Sequence, residues 1–215
     1  MENKDILSKV DHTLLKPTAT KEQISKLCNE ALKFNMASVC IPASYISYAH
    51  ENFPNLNICT VIGFPLGYST LESKVFETKN AIEDGANEID MVINQGLVKD
   101  KDYASVTNEI KEIKKACGSH ILKVIVETCN LEEDEKIEVC KCVSDAKADY
   151  IKTSTGFGTA GAKLEDIILF KKHISNDVKI KAAGGIRTRE DLEAFIEAGA
   201  SRIGCSGAIK ALNIE

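Results

Sequence analysis

Eight times along this chain a short apolar, β-branched run gives way to a helical pattern, and this alternation restricts the fold more than any other feature. The runs lie at 9–14, 37–41, 58–63, 88–94, 121–127, 150–155, 179–183 and 202–205. Thr20 with Gln23 carries the capping-box signature of a helix start, and Ile24, Leu27, Cys28, Ala31 and Leu32 share one face. The segment 102–117 repeats Tyr103, Val106, Ile110, Ile113 and Cys117 at helical spacing and stops at Gly118. Asn130 with Glu133 opens a helix through Ile137, Cys140 and Val143, and Thr188 opens one through Leu192, Phe195 and Ile196 that ends at Gly199. Three helices end in a related turn, Gly85-Ala86, Lys147-Ala148 and Gly199-Ala200, each leading straight into a strand.

Strands alternating with helices imply a parallel sheet. Eight units in 215 residues favour a closed (β/α)8 TIM barrel, whose size range starts near 200 residues. An open doubly wound sheet is the other solution, but no G-x-G-x-x-G follows the first strand. The loops must be short and no linker interrupts the chain, so residues 1–215 are expected to form one domain.

Hydrophobic residues make up 44% of the chain and charged residues 27%, the balance of an ordinary soluble globular protein. The net charge of −5 without a basic stripe argues against nucleic acid. No apolar run approaches the ~20 residues that span a bilayer. The N-terminus mixes acids with bases and lacks an apolar core, so it does not read as a signal peptide, and a cytoplasmic protein is expected. The eight cysteines form no C-x-x-C pair and the four histidines no H-x-x-x-H. They are expected to be buried free thiols and no metal is called for.

Strands covered on both faces should be uniformly apolar. Asp90, Lys123, Lys152 and Lys181 break that rule in the fourth to seventh runs. Alternate strands of a barrel feed the same interior layer, so Asp90 and Lys152 are expected at similar height with Lys123 and Lys181 beside them. A single buried lysine is readily explained as a structural ion pair or a snorkelling side chain. Three lysines and an aspartate converging in one barrel point to a functional site.

An ordinary lysine is about one part in a thousand free amine at neutral pH. Desolvation and a neighbouring like charge both disfavour the ammonium form. Lys152, with Lys181 on the next strand, is placed in such surroundings. A free amine attacks a carbonyl and forms an imine, whose iminium withdraws electrons so that a neighbouring carbon–carbon bond can break or form without a metal or cofactor. Asp90 and Lys181 are the candidates to move the protons. The loops after the seventh and eighth runs carry Gly184-Gly185 and Gly204-Cys205-Ser206, where barrels commonly bind phosphate through backbone N–H groups and a helix N-terminus. Thr155 and Gly156, after the sixth run, are expected to add to that site.

The motifs Asp11-His12-Thr13-Leu14-Leu15, Val61-Ile62-Gly63-Phe64-Pro65, Glu88-Ile89-Asp90, Leu122-Lys123-Val124, Tyr150-Ile151-Lys152-Thr153-Ser154-Thr155-Gly156-Phe157 and Lys181-Ala182-Ala183-Gly184-Gly185 together resemble the deoxyribose-phosphate aldolase family, over nearly the whole chain. The resemblance implies a class I aldolase cleaving 2-deoxy-D-ribose 5-phosphate to D-glyceraldehyde 3-phosphate and acetaldehyde. It implies that Lys152 is the Schiff-base lysine, Lys181 the lysine that tunes it, and Asp90 the acid/base. It further implies that Gly184, Gly185, Gly204 and Ser206 hold the phosphate, and that the chain assembles as a dimer or tetramer. Asp11 and Lys123 are taken as supporting residues. Two alternatives stand beside it: another phosphosugar Schiff-base or transaldolase-like barrel, and a barrel that binds a phosphosugar without turning it over.

Overall fold

A computed structural model describes residues 1–214. A short helix α1 (Asn3–Leu7) precedes β1 (Val10–Thr13), α2 (Lys21–Lys33), β2 (Ser38–Cys40), α3 (Ile46–Asn52), β3 (Ile58–Ile62), α4 (Leu71–Glu83) and β4 (Glu88–Val92). Then follow α5 (Gln95–Lys99), α6 (Tyr103–Cys117), β5 (Ile121–Ile125), α7 (Glu133–Asp145), β6 (Tyr150–Lys152), α8 (Leu164–His173), β7 (Lys179–Ala183), α9 (Arg189–Ala198), β8 (Arg202–Cys205) and α10 (Ala208–Ala211). The strands pair in parallel in chain order and β8 returns to β1, closing the (β/α)8 barrel.

The barrel sorts each strand by alternation. Outward residues such as Ile89, Met91, Leu122, Val124 and Ile151 join the helices' apolar stripes in one continuous core, while Glu88, Asp90, Lys123 and Lys152 face inward. On α2 the buried stripe is Ile24, Leu27, Cys28 and Ala31, and the Thr20–Gln23 capping box is formed. Leu32, expected on that face, lies at its rim and is 38% exposed. In α6 Asp102 caps the N-terminus and Gly118 ends the helix. Gly85, Lys147 and Gly199 all take positive φ, which lets each helix reverse into the next strand. All eight cysteines are unpaired and all but Cys129 are buried.

Several boundaries differ from expectation. The helix expected from Asn130 starts at Glu133, with Glu132 and Glu135 forming the box. Asn130 is instead held in a 3-10 turn, its amide donating to Gln95 Oε1 at 2.7 Å. The fifth and sixth strands end sooner than their apolar runs, at Ile125 and Lys152. There the chain leaves the ladder to build the barrel's mouth, and Glu127 turns it with φ 54°.

Candidate functional site

Charged side chains from six strands meet inside the barrel. Register pairs Asp90 with Lys123, and Lys152 with Lys181, which itself pairs with Arg202. Asp90 on β4 is therefore level with Lys123 on β5, and Lys152 stands two residues further along. The tilt of the strands still brings Lys152 onto Asp90, with Nζ 2.7 Å from Oδ2. Lys181 Nζ lies 2.7 Å from the same oxygen, and Lys123 Nζ 2.8 Å from Oδ1. The four residues singled out in the strands thus form one contact group.

Three more residues complete it. Lys181 also donates to Asp11 Oδ2. Asp11 Oδ1 accepts from Arg202 at 2.5 Å and from Ser38 Oγ at 2.7 Å. Arg202 reaches Glu88 Oε2 at 3.0 Å, and Glu88 Oε2 lies 2.6 Å from Lys123 Nζ. Asp90, Lys123, Glu88, Arg202, Asp11 and Lys181 therefore close a six-membered ring of alternating charge, with Lys152 attached to it at Asp90. Glu88 and Arg202 carried no signal in the sequence, since a charge at the first residue of a strand looks like a solvated edge.

Burial alone would push the Asp90 carboxyl up, but Lys123, Lys152 and Lys181 outweigh it and hold Asp90 well below the usual carboxylate range. Asp11 is likewise lowered, burial being overcome by Lys181, Lys123 and Arg202. Burial opposes the charge on Lys181, and Asp11 with Asp90 more than restores it, so its pKa is raised. The resting pair is thus an Asp90 carboxylate and a Lys181 ammonium. Lys181 was expected to act on Lys152 as a bare like charge; with two carboxylates of its own, its field is largely compensated.

Above the ring opens a cavity of about 300 Å³. Lys152 lines it, together with Thr155, Gly156, Gly184, Gly185, Gly204 and Ser206, so every residue expected to contact substrate reaches one space. Asp90, Lys181, Asp11 and Lys123 lie beneath it. Lys16 and Arg187 also line the cavity and, among the described residues, no carboxylate does. The sequence reading missed both, because a basic residue in a loop is ordinary until the fold places it. A larger groove, about 510 Å³, runs outside the barrel along α7 and α8. Its walls carry acids and bases together and none of the interior residues, so the chemistry belongs to the smaller cavity.

Two sets of hydrogen bonds at the phosphate end limit which donors are free. The Thr155 hydroxyl donates to Glu127 Oε2 and accepts from Phe157 N at 3.0 Å, so its proton is already committed. At α9, Asp191 accepts from the backbone N–H groups of Arg187 and Thr188, both at 3.0 Å, so that helix start is capped from within. The loops nevertheless fit tightly. Ala162 N donates to the carbonyls of Ala183 and Gly184, and a Cβ at Gly161 would fall 2.2 Å from Gly184 O.

Cys40, Cys59 and Asp90 place three ligand-type atoms within 4.8 Å of one another. Three ammonium groups already occupy Asp90, and Lys123 donates to Cys59 Sγ at 3.3 Å, so a dication there would meet strong repulsion. The thiols are read as part of the ring's packing.

A family model described as DeoC/LacD family aldolase matches residues 6–214. The chain belongs to the DeoC/LacD aldolase family. Within that family it is 61% identical to a deoxyribose-phosphate aldolase of Clostridium botulinum (strain Alaska E43 / Type E3), covering 100% of this chain and 98% of the relative. It is 57% identical to one of Clostridioides difficile (strain 630), covering 99% and 97%. Among solved structures, the tetrameric deoxyribose phosphate aldolase of Aeropyrum pernix superposes with a TM-score of 0.91 at 32% identity, covering 99% of this chain and 91% of that one. The DeoC/LacD relationship and the closed barrel thus extend over the same residues.

Proposed function

We propose that this chain is a class I deoxyribose-phosphate aldolase, reversibly cleaving 2-deoxy-D-ribose 5-phosphate to D-glyceraldehyde 3-phosphate and acetaldehyde through a Schiff base on Lys152. The observation that carries the reading is that Lys152 alone of the charged cluster lines the cavity, while Asp90 holds its amine from below.

The reaction requires a proton to leave the Lys152 ammonium, and the Asp90 carboxylate 2.7 Å away can accept it. The free amine adds to the sugar's C1 carbonyl, and loss of water gives the iminium. Removal of the C3 hydroxyl proton breaks the C2–C3 bond. Its electron pair forms an enamine, and C3 leaves as the aldehyde of glyceraldehyde 3-phosphate. Protonation of C2 and addition of water release acetaldehyde and return the amine. Asp90 and Lys181, which share a contact at 2.7 Å, are suited to pass these protons. Asp11 and Lys123 hold that pair in place. A cavity wall with Lys16, Arg187 and the backbone of Gly184, Gly185, Gly204 and Ser206, and no acid among the described residues, suits the phosphate. Placing residues 1–215 in one catalytic domain agrees with the span of the family match. Assembly as a homo-oligomer is supported by the tetrameric Aeropyrum pernix relative. Action in the cytoplasm fits the absence, among the described residues, of any helix long and apolar enough to cross a membrane.

Borohydride added with acetaldehyde should fix a stable adduct on Lys152, located by peptide mass mapping. Lys152→Ala should lose turnover and keep its circular dichroism spectrum. No adduct on any lysine would refute the Schiff base, and wild-type turnover in Lys152→Ala would refute the residue.

A further inference from the structure

In their ionised forms the ring's three carboxylates and three cations cancel, so the ring carries no net charge to match that of Lys152. We propose that Glu88 and Arg202, which line no part of the cavity, are positioning residues whose balanced charges set the pH at which Lys152 becomes a nucleophile.

The geometry supports this assignment. Glu88 is 1% exposed and completes the ring between Lys123 and Arg202, while its other oxygen accepts from Asn57 at 2.7 Å. Arg202 binds both oxygens of Glu88 and bridges to Asp11, with its guanidinium 5.6 Å from the centre of the Tyr150 ring. Both are fixed, and both act on Lys152 only through other members of the ring.

The charged and titratable groups of the barrel interior come from all eight strands. They are Asp11 on β1, Cys40 on β2, Cys59 on β3, Glu88 and Asp90 on β4, Lys123 on β5, Tyr150 on β6, Lys181 on β7 and Arg202 on β8, while Lys16 and Arg187 from the loops line the cavity with Lys152. With Lys152 as a free amine the strand groups sum to zero, and with Lys152 protonated they sum to +1; Lys16 and Arg187 add the same charge to both states. Removing Glu88 makes the second state still less favourable. Removing Arg202 makes it the neutral one.

Opposite shifts of the pH–rate profile follow. In Glu88→Gln the acid limb of kcat/KM should move to lower pH, and in Arg202→Met to higher pH. Each shift should be about one unit, the size expected for a single charge a few contacts away at an effective dielectric of about 20. The double variant Glu88→Gln/Arg202→Met restores the balance and should return the limb to the wild-type position, as should the conservative Arg202→Lys. A merely structural role would lower rates without moving the two limbs in opposite directions.

This inference rests on Lys152 as the nucleophile, so the profile is measured twice, as turnover of deoxyribose 5-phosphate and as the rate of borohydride trapping with acetaldehyde. Absence of a trapped adduct in the wild-type protein at every pH would overturn the Schiff-base reading itself. Trapping in the wild type, with limbs that stay put or move together in the two single variants, would overturn the role of Glu88 and Arg202 alone. Should a single variant fail to fold, the double variant and Arg202→Lys decide. A limb displaced by a full unit in either overturns the proposal, as does a limb that stays put in the single variant that folds; wild-type positions in both, with that single variant displaced in its stated direction, sustain it.

Discussion

Asp90→Asn changes one atom type and almost no volume, so its consequences are electrostatic. The carboxylate receives Lys123 at 2.8 Å and both Lys152 and Lys181 at 2.7 Å, and it accepts the Cys59 thiol at 3.2 Å. After substitution Lys181 keeps Asp11 and Lys123 keeps Glu88, but Lys152 keeps no carboxylate. Removing one partner from a buried ionic network typically costs about 3–5 kcal/mol, most of it the desolvation of what is left unpaired. Here the surviving carboxylates compensate two of the three lysines, which places the expected loss near the lower end, about 3 kcal/mol. Urea unfolding at pH 7 measures it, with the slope of the transition expected to stay unchanged. The loss of a general acid–base group should lower kcat/KM for deoxyribose 5-phosphate by about 10²–10⁴. Because Lys152 still reaches the cavity, acetaldehyde with borohydride should still label it on long incubation. The reasoning fails if Asp90→Asn keeps kcat/KM within tenfold of wild type, or if its unfolding free energy stays within about 1 kcal/mol of wild type.

Gly161→Ala should disturb the loop clasp, since the new methyl would overlap the Gly184 carbonyl. KM for the phosphorylated sugar is expected to rise about tenfold with a smaller change for unphosphorylated deoxyribose, a disturbance of about 1.4 kcal/mol; equal effects on both would refute a phosphate role for that loop. Acid should destabilise the fold through Asp11 and Asp90. Both are held below the usual carboxylate range, so the stability they contribute is complete above the unfolded value near 4 and is lost as pH falls toward their folded values. Urea midpoints should therefore drop between pH 5 and pH 3, and a flat midpoint across that window would contradict the ring.

The barrel and the heart of the site were legible because each left a local mark. The periods of 2 and 3.6 along the chain separate strands from helices, and Lys123, Lys152, Lys181 and Asp90 stand out as charges in runs that a covered parallel sheet keeps apolar. Glu88, Arg202, Glu127, Lys16 and Arg187 left none, since each is unremarkable among its sequence neighbours. Lys74 is similar: a lysine in an amphipathic helix reads as solvated, yet it is fully buried and donates to Val92 O and Glu109 at 2.8 and 2.7 Å.

What the order of residues determined was therefore everything set by short-range pattern: the eight repeating units, the parallel sheet, the faces of the helices and the lysines that violate the pattern. Only the closed barrel decided who pairs with whom. Arg202 and Asp11, 191 positions apart, become neighbours because β8 docks beside β1, and the balance of charge around Lys152 depends on that closure. Coulomb interactions act over ångströms of space whatever the separation along the chain, so this part of the chemistry exists only once the strands have met.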